Sequence, residues 1–141
     1  MIQTATYGYT GQLSSELVAF ARRQLVNATL YKGDRRRREE RHPMMLPVLV
    51  VPVDEDNQPI SVPFEVITRD VAATSIGLIH AEQMPHDRIA IHMTLANTEV
   101  DLVVELKWRE PLGPFYGSGG DYLERLDRFP CDPDCLDRQC T

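Results

Sequence analysis

The chain has 141 residues, 43% of them hydrophobic, and a net charge of −6. That is enough apolar material for one modest core, and the acidic balance argues against a general nucleic-acid-binding surface. No apolar run approaches the ~20 residues needed to cross a bilayer, and the N-terminus carries no charged leader with a cleavage site, so no membrane insertion and a cytoplasmic location are expected. Ten prolines and eight glycines favour short strands joined by turns over a helical bundle.

Residues 12–28 read as an amphipathic helix, with Leu13, Leu17, Phe20, Ala21, Leu25 and Ala28 recurring at steps of three or four. Thr10 or Ser14 offers a hydroxyl to cap its start, and Arg22 and Arg23 fall toward solvent. A basic arm follows at 32–43. Between Lys32 and Arg41 stand six basic and three acidic residues, a local +3 that leaves −9 for the remainder. Such a distribution fits a compact anionic partner better than a long polyanion.

After the arm the periodicity changes to alternation. Residues 46–53 form a β-branched run interrupted by Pro47 and Pro52, and 54–59 is strongly turn-forming. Val62, Phe64 and Val66 alternate in a second strand, 77–82 makes a short third, and 84–87 turns. Ile89, Ile91, Met93 and Leu95 share one face of the next strand. A turn at Asn97-Thr98 leads to the clearest strand, where Val100, Leu102, Val104, Leu106 and Trp108 alternate with more polar residues. Trp108 and Phe64 are expected in the core. The glycine-rich stretch 113–120 reads as a hairpin loop before a short helix or strand at 122–129. Short strands at regular spacing predict a mainly β fold, a small antiparallel barrel or sandwich with an N-terminal helix.

Two elements stand in a telling order: Arg37-Arg-Glu-Glu-Arg41 just before the first strand, and Asp70-Val-Ala-Ala-Thr-Ser-Ile-Gly-Leu78 after the second. Over roughly 35–124 this resembles the PilZ family, whose signature is RxxxR followed by D/N-x-S-x-x-G. The resemblance implies a six-stranded barrel carrying the second element on its surface, with the arginine arm folding across it. It also implies cyclic di-GMP, a bacterial second messenger, as ligand. Arg37, Arg41 and Asp70 are then the implied contacts, with Arg38 as an understudy. The chemistry agrees: an arginine fork suits phosphate oxygens or guanine O6 and N7, its plane stacks on a base, and a carboxylate accepts from guanine N1–H and N2–H.

The chain departs from the signature at two positions that belong to the same candidate site. Ala72 stands where the family has serine, and Ser75 stands where it has glycine. If that backbone needs φ > 0, a serine there costs on the order of 1 kcal/mol. Gly77 matches a common family glycine. The alternative readings are a solvated linker for the arm, with Arg35 and Arg36 in water, and a turn role for Asp70.

The remaining candidates read as structural. Gly117-Ser-Gly-Gly120 lacks the ending of a phosphate loop. His80, His86 and His92 lie around one expected hairpin as exposed residues, His80 and His92 able to face each other across strands. Cys131, Cys135 and Cys140 have no standard zinc spacing and belong to a flexible tail, so no metal and no cofactor are expected. No nucleophile is spaced to meet a base, and no enzyme is expected. The expected organisation is a helical extension at 1–31, a barrel at 32–129 with the arm at 32–43, and a tail at 130–141. The expected function is a cyclic di-GMP receptor that changes shape as its RxxxR arm closes. The alternative is an adaptor on a degenerate PilZ barrel, acting through a downstream protein without nucleotide.

Overall fold

The computed structural model describes residues 13–30 and 41–130. One helix, α1 (Ser15–Leu30), precedes seven strands: β1 (Arg41–Pro43), β2 (Pro47–Pro52), β3 (Phe64–Ala72), β4 (Ser75–His80), β5 (Arg88–Leu95), β6 (Thr98–Leu112) and β7 (Phe115–Arg125). Six of these close into an antiparallel barrel in the order β3-β2-β5-β6-β7-β4, with β4 pairing back onto β3. The three-residue β1 pairs with the end of β3 as an outer strand. The expected small antiparallel barrel with an N-terminal helix is the observed fold. The segment after the glycines continues as strand to Arg125, so of helix and strand the chain adopts strand there.

Alternation fills the barrel. Val48, Val50, Val66, Ile76, Leu78, Ile89, Ile91, Met93, Val104 and Leu106 form one inner cluster. Phe64 packs against it, half-buried, as expected of a core residue. The run 47–52 does not alternate because β2 is covered on both faces. Val48 and Val50 point inward, while Leu49 and Val51 join Val53, Ala90 and Phe129 in an outer cluster beneath the chain's return past Leu126. Burial on both sides produces a continuous apolar run in place of a period of two.

The helix seals a different part of the outer wall. Leu17, Phe20 and Ala21 pack on Ile67 and Ile79, and the Ser14 hydroxyl accepts from the Leu17 amide at 3.1 Å as the N-cap. Thr10 lies outside the described residues. Arg22 and Arg23 are exposed, as the helical period requires. Among the described residues no helix is long and apolar enough to cross a membrane.

Candidate functional site

Two irregularities in the sheet build the site. In β3 the pairing with β4 slips between Thr68 and Asp70, making Arg69 an extra residue. In β6 the pairing with β7 slips between Leu106 and Trp108, making Lys107 another. A bulge re-aims the residues at it. Here Arg69 and Asp70, consecutive in sequence, line the same outer cleft, and Lys107 and Trp108 do so from the opposite side. Arg41, Ser75 and Asp121 complete the walls of this cleft of about 120 Å³.

The basic arm reaches it through its root. Arg41 pairs with Ala72, His42 with Val71 and Pro43 with Asp70, so β1 is stitched to the motif strand. The Arg41 guanidinium then donates from Nη2 to Asp70 Oδ1 at 2.8 Å and from Nη1 to Ser75 Oγ at 2.7 Å. Both partners of the ion pair are largely covered, with 17% and 16% of their side chains exposed. Arg41, Asp70 and Ser75 are thus brought together from three strands.

Gly77 explains how Asp70 fits. It lies opposite Asp70 across β3 and β4, and a Cβ there would stand 2.8 Å from Asp70 Oδ1. Its hydrogen leaves the room the carboxylate occupies. The condition of a positive φ at Ser75 is not met: among the described residues the non-glycine positions with positive φ are Asn57, Ala96 and Asn97. Ser75 sits in ordinary strand backbone and carries no such strain. Ala72 is buried directly across from Arg41, and its carbonyl accepts from the Tyr122 hydroxyl at 3.1 Å.

Trp108 is a second correction. Strict alternation puts it inside with Leu106, but the slip at Lys107 turns it outward, where it is half-buried. Its indole lies against β7 so closely that a Cβ at Gly119 would come within 2.5 Å of the ring. The glycine stretch is therefore not a loop. Gly117 to Gly120 are strand residues, buried under the indole and neighbouring backbone, and a Cβ at Gly120 would stand 1.9 Å from the Glu105 carbonyl oxygen. The turn itself is at Gly113, where φ is +55°. The Arg69 guanidinium lies 5.5 Å from the Trp108 ring centroid, making a cation–π platform on the cleft wall.

The histidines also depart from expectation. His80 and His92 are buried rather than exposed, and their strands are not neighbours in the barrel. His92 Nδ1 meets Asp101 Oδ1 across β5 and β6 at 2.7 Å. His80 Nδ1 donates to the Glu82 carbonyl at 2.6 Å, which leaves Nε2 to accept from the Ser118 hydroxyl at 2.8 Å. Burial pushes the His80 pKa below its ordinary value, against the opposing pull of the Glu82 carbonyl, and nearby Arg109 lowers it further. This serine–histidine contact was missed because the residues lie 38 positions apart in sequence. Ser118 has no exposed surface, so the pair acts as a neutral strut and cannot reach a substrate. Beside it, at the barrel mouth, His80, Met84, Arg109 and Tyr116 line a cavity of about 420 Å³.

Of the sequence-selected contacts, Arg41, Asp70 and Ser75 line the outer cleft. Ala72 and Gly77 lie in the strands beneath it. Arg37 and Arg38 fall outside the described residues, as do Arg35, Arg36 and the three cysteines. Sequence reasoning missed Arg69, Lys107 and Trp108, which the two bulges deliver.

No family model matches the chain, and no curated protein matches it. Among solved structures it is similar to the inhibitor of motility MotI/DgrA of Bacillus subtilis. The identity is 13%, over 76% of this chain and 52% of that one, with a TM-score of 0.49. It is also similar to PlzA of Borreliella burgdorferi, solved in complex with c-di-GMP. There the identity is 12%, over 84% of this chain and 53% of that one, with a TM-score of 0.41. The chain spans about half the length of each.

Proposed function

We propose that the chain is a non-enzymatic binding module for cyclic di-GMP, which it holds between the outer cleft and the arm. The observation that carries this reading is the convergence of Arg41 and Asp70 in a cleft walled by Arg69, Lys107 and Trp108. Arg41, Arg69 and Lys107 line the cleft beside Asp70 and Asp121; Arg69 also pairs with Glu110 and Lys107 with Glu105, so an anionic ligand would take over cations already gathered by carboxylates. Guanidinium groups suit phosphate oxygens, the Arg69 plane over the Trp108 indole suits a stacked base, and Asp70 suits the guanine N1–H and N2–H edge. The cleft alone is smaller than the ~300 Å³ at which small-molecule pockets begin. It has room for one phosphate or one base, and Arg37 and Arg38 are the further contacts that the RxxxR motif implies.

One observation favours the adaptor reading. Arg41 already has two acceptors within the protein, and Ala72 offers no hydroxyl. Calorimetric titration of the full chain with cyclic di-GMP separates the two. Saturable binding with one or two nucleotides per chain is the expected result. No heat and no protection against thermal unfolding at millimolar nucleotide would leave the adaptor.

A further inference from the structure

We infer that Ser75 is a positioning residue: its hydroxyl, together with Asp70, holds the Arg41 guanidinium against the barrel before any ligand arrives. Arg41 is then oriented in the free protein, before a ligand meets it.

The geometry argues this in three steps. Arg41 is anchored twice, by backbone pairing with Ala72 and by side-chain bonds to two residues of other strands. Two bonds from different nitrogens fix the plane of a guanidinium, where one would leave it free to swing. Finally, Ser75 is 8% exposed and pairs with Asp121 of β7, so its hydroxyl sits on a rigid wall rather than on a turn. A glycine or alanine at 75 would keep the strand and lose the second anchor. The hydroxyl therefore supplies Arg41 with a fixed orientation, and its contact with a ligand is not required.

The consequence for affinity rests on the cyclic di-GMP reading. A guanidinium already ordered loses less side-chain freedom on binding, so preorganisation raises affinity without a new contact. Removing the hydroxyl should weaken binding even though it never touches the nucleotide.

The test combines a ligand-free and a ligand-dependent readout on the full chain. Trypsin must take the Arg41 side chain into its own pocket to cut at Arg41–His42, so the rate at that bond reports how often the guanidinium leaves the wall. Ser75→Ala should raise it about fivefold or more in the absence of nucleotide, at unchanged melting temperature. Ser75→Thr, which keeps the hydroxyl, should stay within about twofold of wild type. Calorimetry should then show roughly tenfold weaker cyclic di-GMP binding for Ser75→Ala, with Ser75→Thr near wild type. An unchanged cleavage rate in Ser75→Ala overturns the positioning role. Faster cleavage with unaltered affinity overturns the consequence for binding. If wild type binds no nucleotide while Ser75→Ala still frees Arg41, the receptor reading falls and the positioning of Arg41 stands.

Discussion

The outer cleft around Arg41 and the barrel mouth around His80 are both polar insertions into an apolar barrel, yet they are built on opposite terms. At the mouth a histidine points inward, loses its charge to burial, and has each ring nitrogen bonded, to Ser118 and to the Glu82 carbonyl. Arg109 nearby is spent on the Met84 and His86 carbonyls and on Asp87. At the cleft, arginine, lysine and carboxylate side chains on the outer wall are gathered by two bulges. An interior can hold polar atoms only when they are neutral or fully paired. A cleft on the outer wall can keep charged groups in reach of a ligand. The mouth has the larger cavity, with His80 and Arg109 committed to neighbouring groups, and the smaller cleft gathers three cations beside Asp70 and Asp121.

The comparison breaks most visibly at His80. His80→Ala opens a cavity and strands the Ser118 hydroxyl and the Glu82 carbonyl, which should cost ~3–4 kcal/mol of stability by urea denaturation. The affinity for cyclic di-GMP should not move. A variant as stable as wild type would show that the mouth is not a strut. The same residue gives a pH dependence. Its folded pKa lies below the ordinary 6.5, so the unfolded chain binds more protons at mildly acidic pH. Its contribution is therefore fully present above about pH 6.5 and is lost as pH falls below it. Replacing His80 with glutamine should flatten that part of the stability profile.

At the cleft the signature is reversed. Arg41→Ala should weaken cyclic di-GMP binding by ~1.5–3 kcal/mol, the worth of a charge-assisted bond, with a smaller melting shift than His80→Ala. Asp70→Asn should follow the same pattern. Equal affinity in both variants and wild type would remove the cleft from the ligand site. Trp108→Ala should cost ~1–2 kcal/mol of affinity if a base stacks on the indole. Adenine- and guanine-containing dinucleotides should lose similarly, because stacking reads a π-face rather than an edge. A loss confined to guanine would place Trp108 elsewhere in the site.

What the sequence disclosed follows the regularity of the sheet. Ile89, Ile91 and Met93 alternate without interruption, and β5 lies as its pattern predicts. The order of arm and motif also brought Arg41 and Asp70 to one place. The misreadings fall where that regularity breaks. Neither Arg69 nor Lys107 carries a local mark of being an extra residue, so Trp108 was placed on the wrong face. The glycines from 117 to 120 resemble a loop because glycine is the usual turn residue. Here they serve instead to let an indole and a neighbouring strand approach closely. His80 was beyond reach, because its partner Ser118 belongs to a strand that closes the barrel only in three dimensions.

The smallest expected effect is also the finest probe of the cleft. Ala72 lies directly opposite Arg41 across β1 and β3, two residues along from Asp70. Residues two apart on a strand share a face, so a side chain at 72 points to the same side as the Asp70 carboxylate. Ala72→Ser adds one hydroxyl on that face without changing the strand. If a nucleotide lies over Arg41 and Asp70, the hydroxyl gains a neutral hydrogen bond worth ~0.5–1.5 kcal/mol, a few-fold to roughly tenfold in affinity. The gain should disappear in an Arg41→Ala background, since both groups grip the same molecule. It should leave the His80 strut and its pH profile untouched, because that pair lies at the barrel mouth. Unaltered binding in Ala72→Ser, beside a normal loss in Arg41→Ala, would place the ligand on Arg41 but away from the β3 end. The cleft would then be entered from the Trp108 side, and Lys107 rather than position 72 would be the next residue to change.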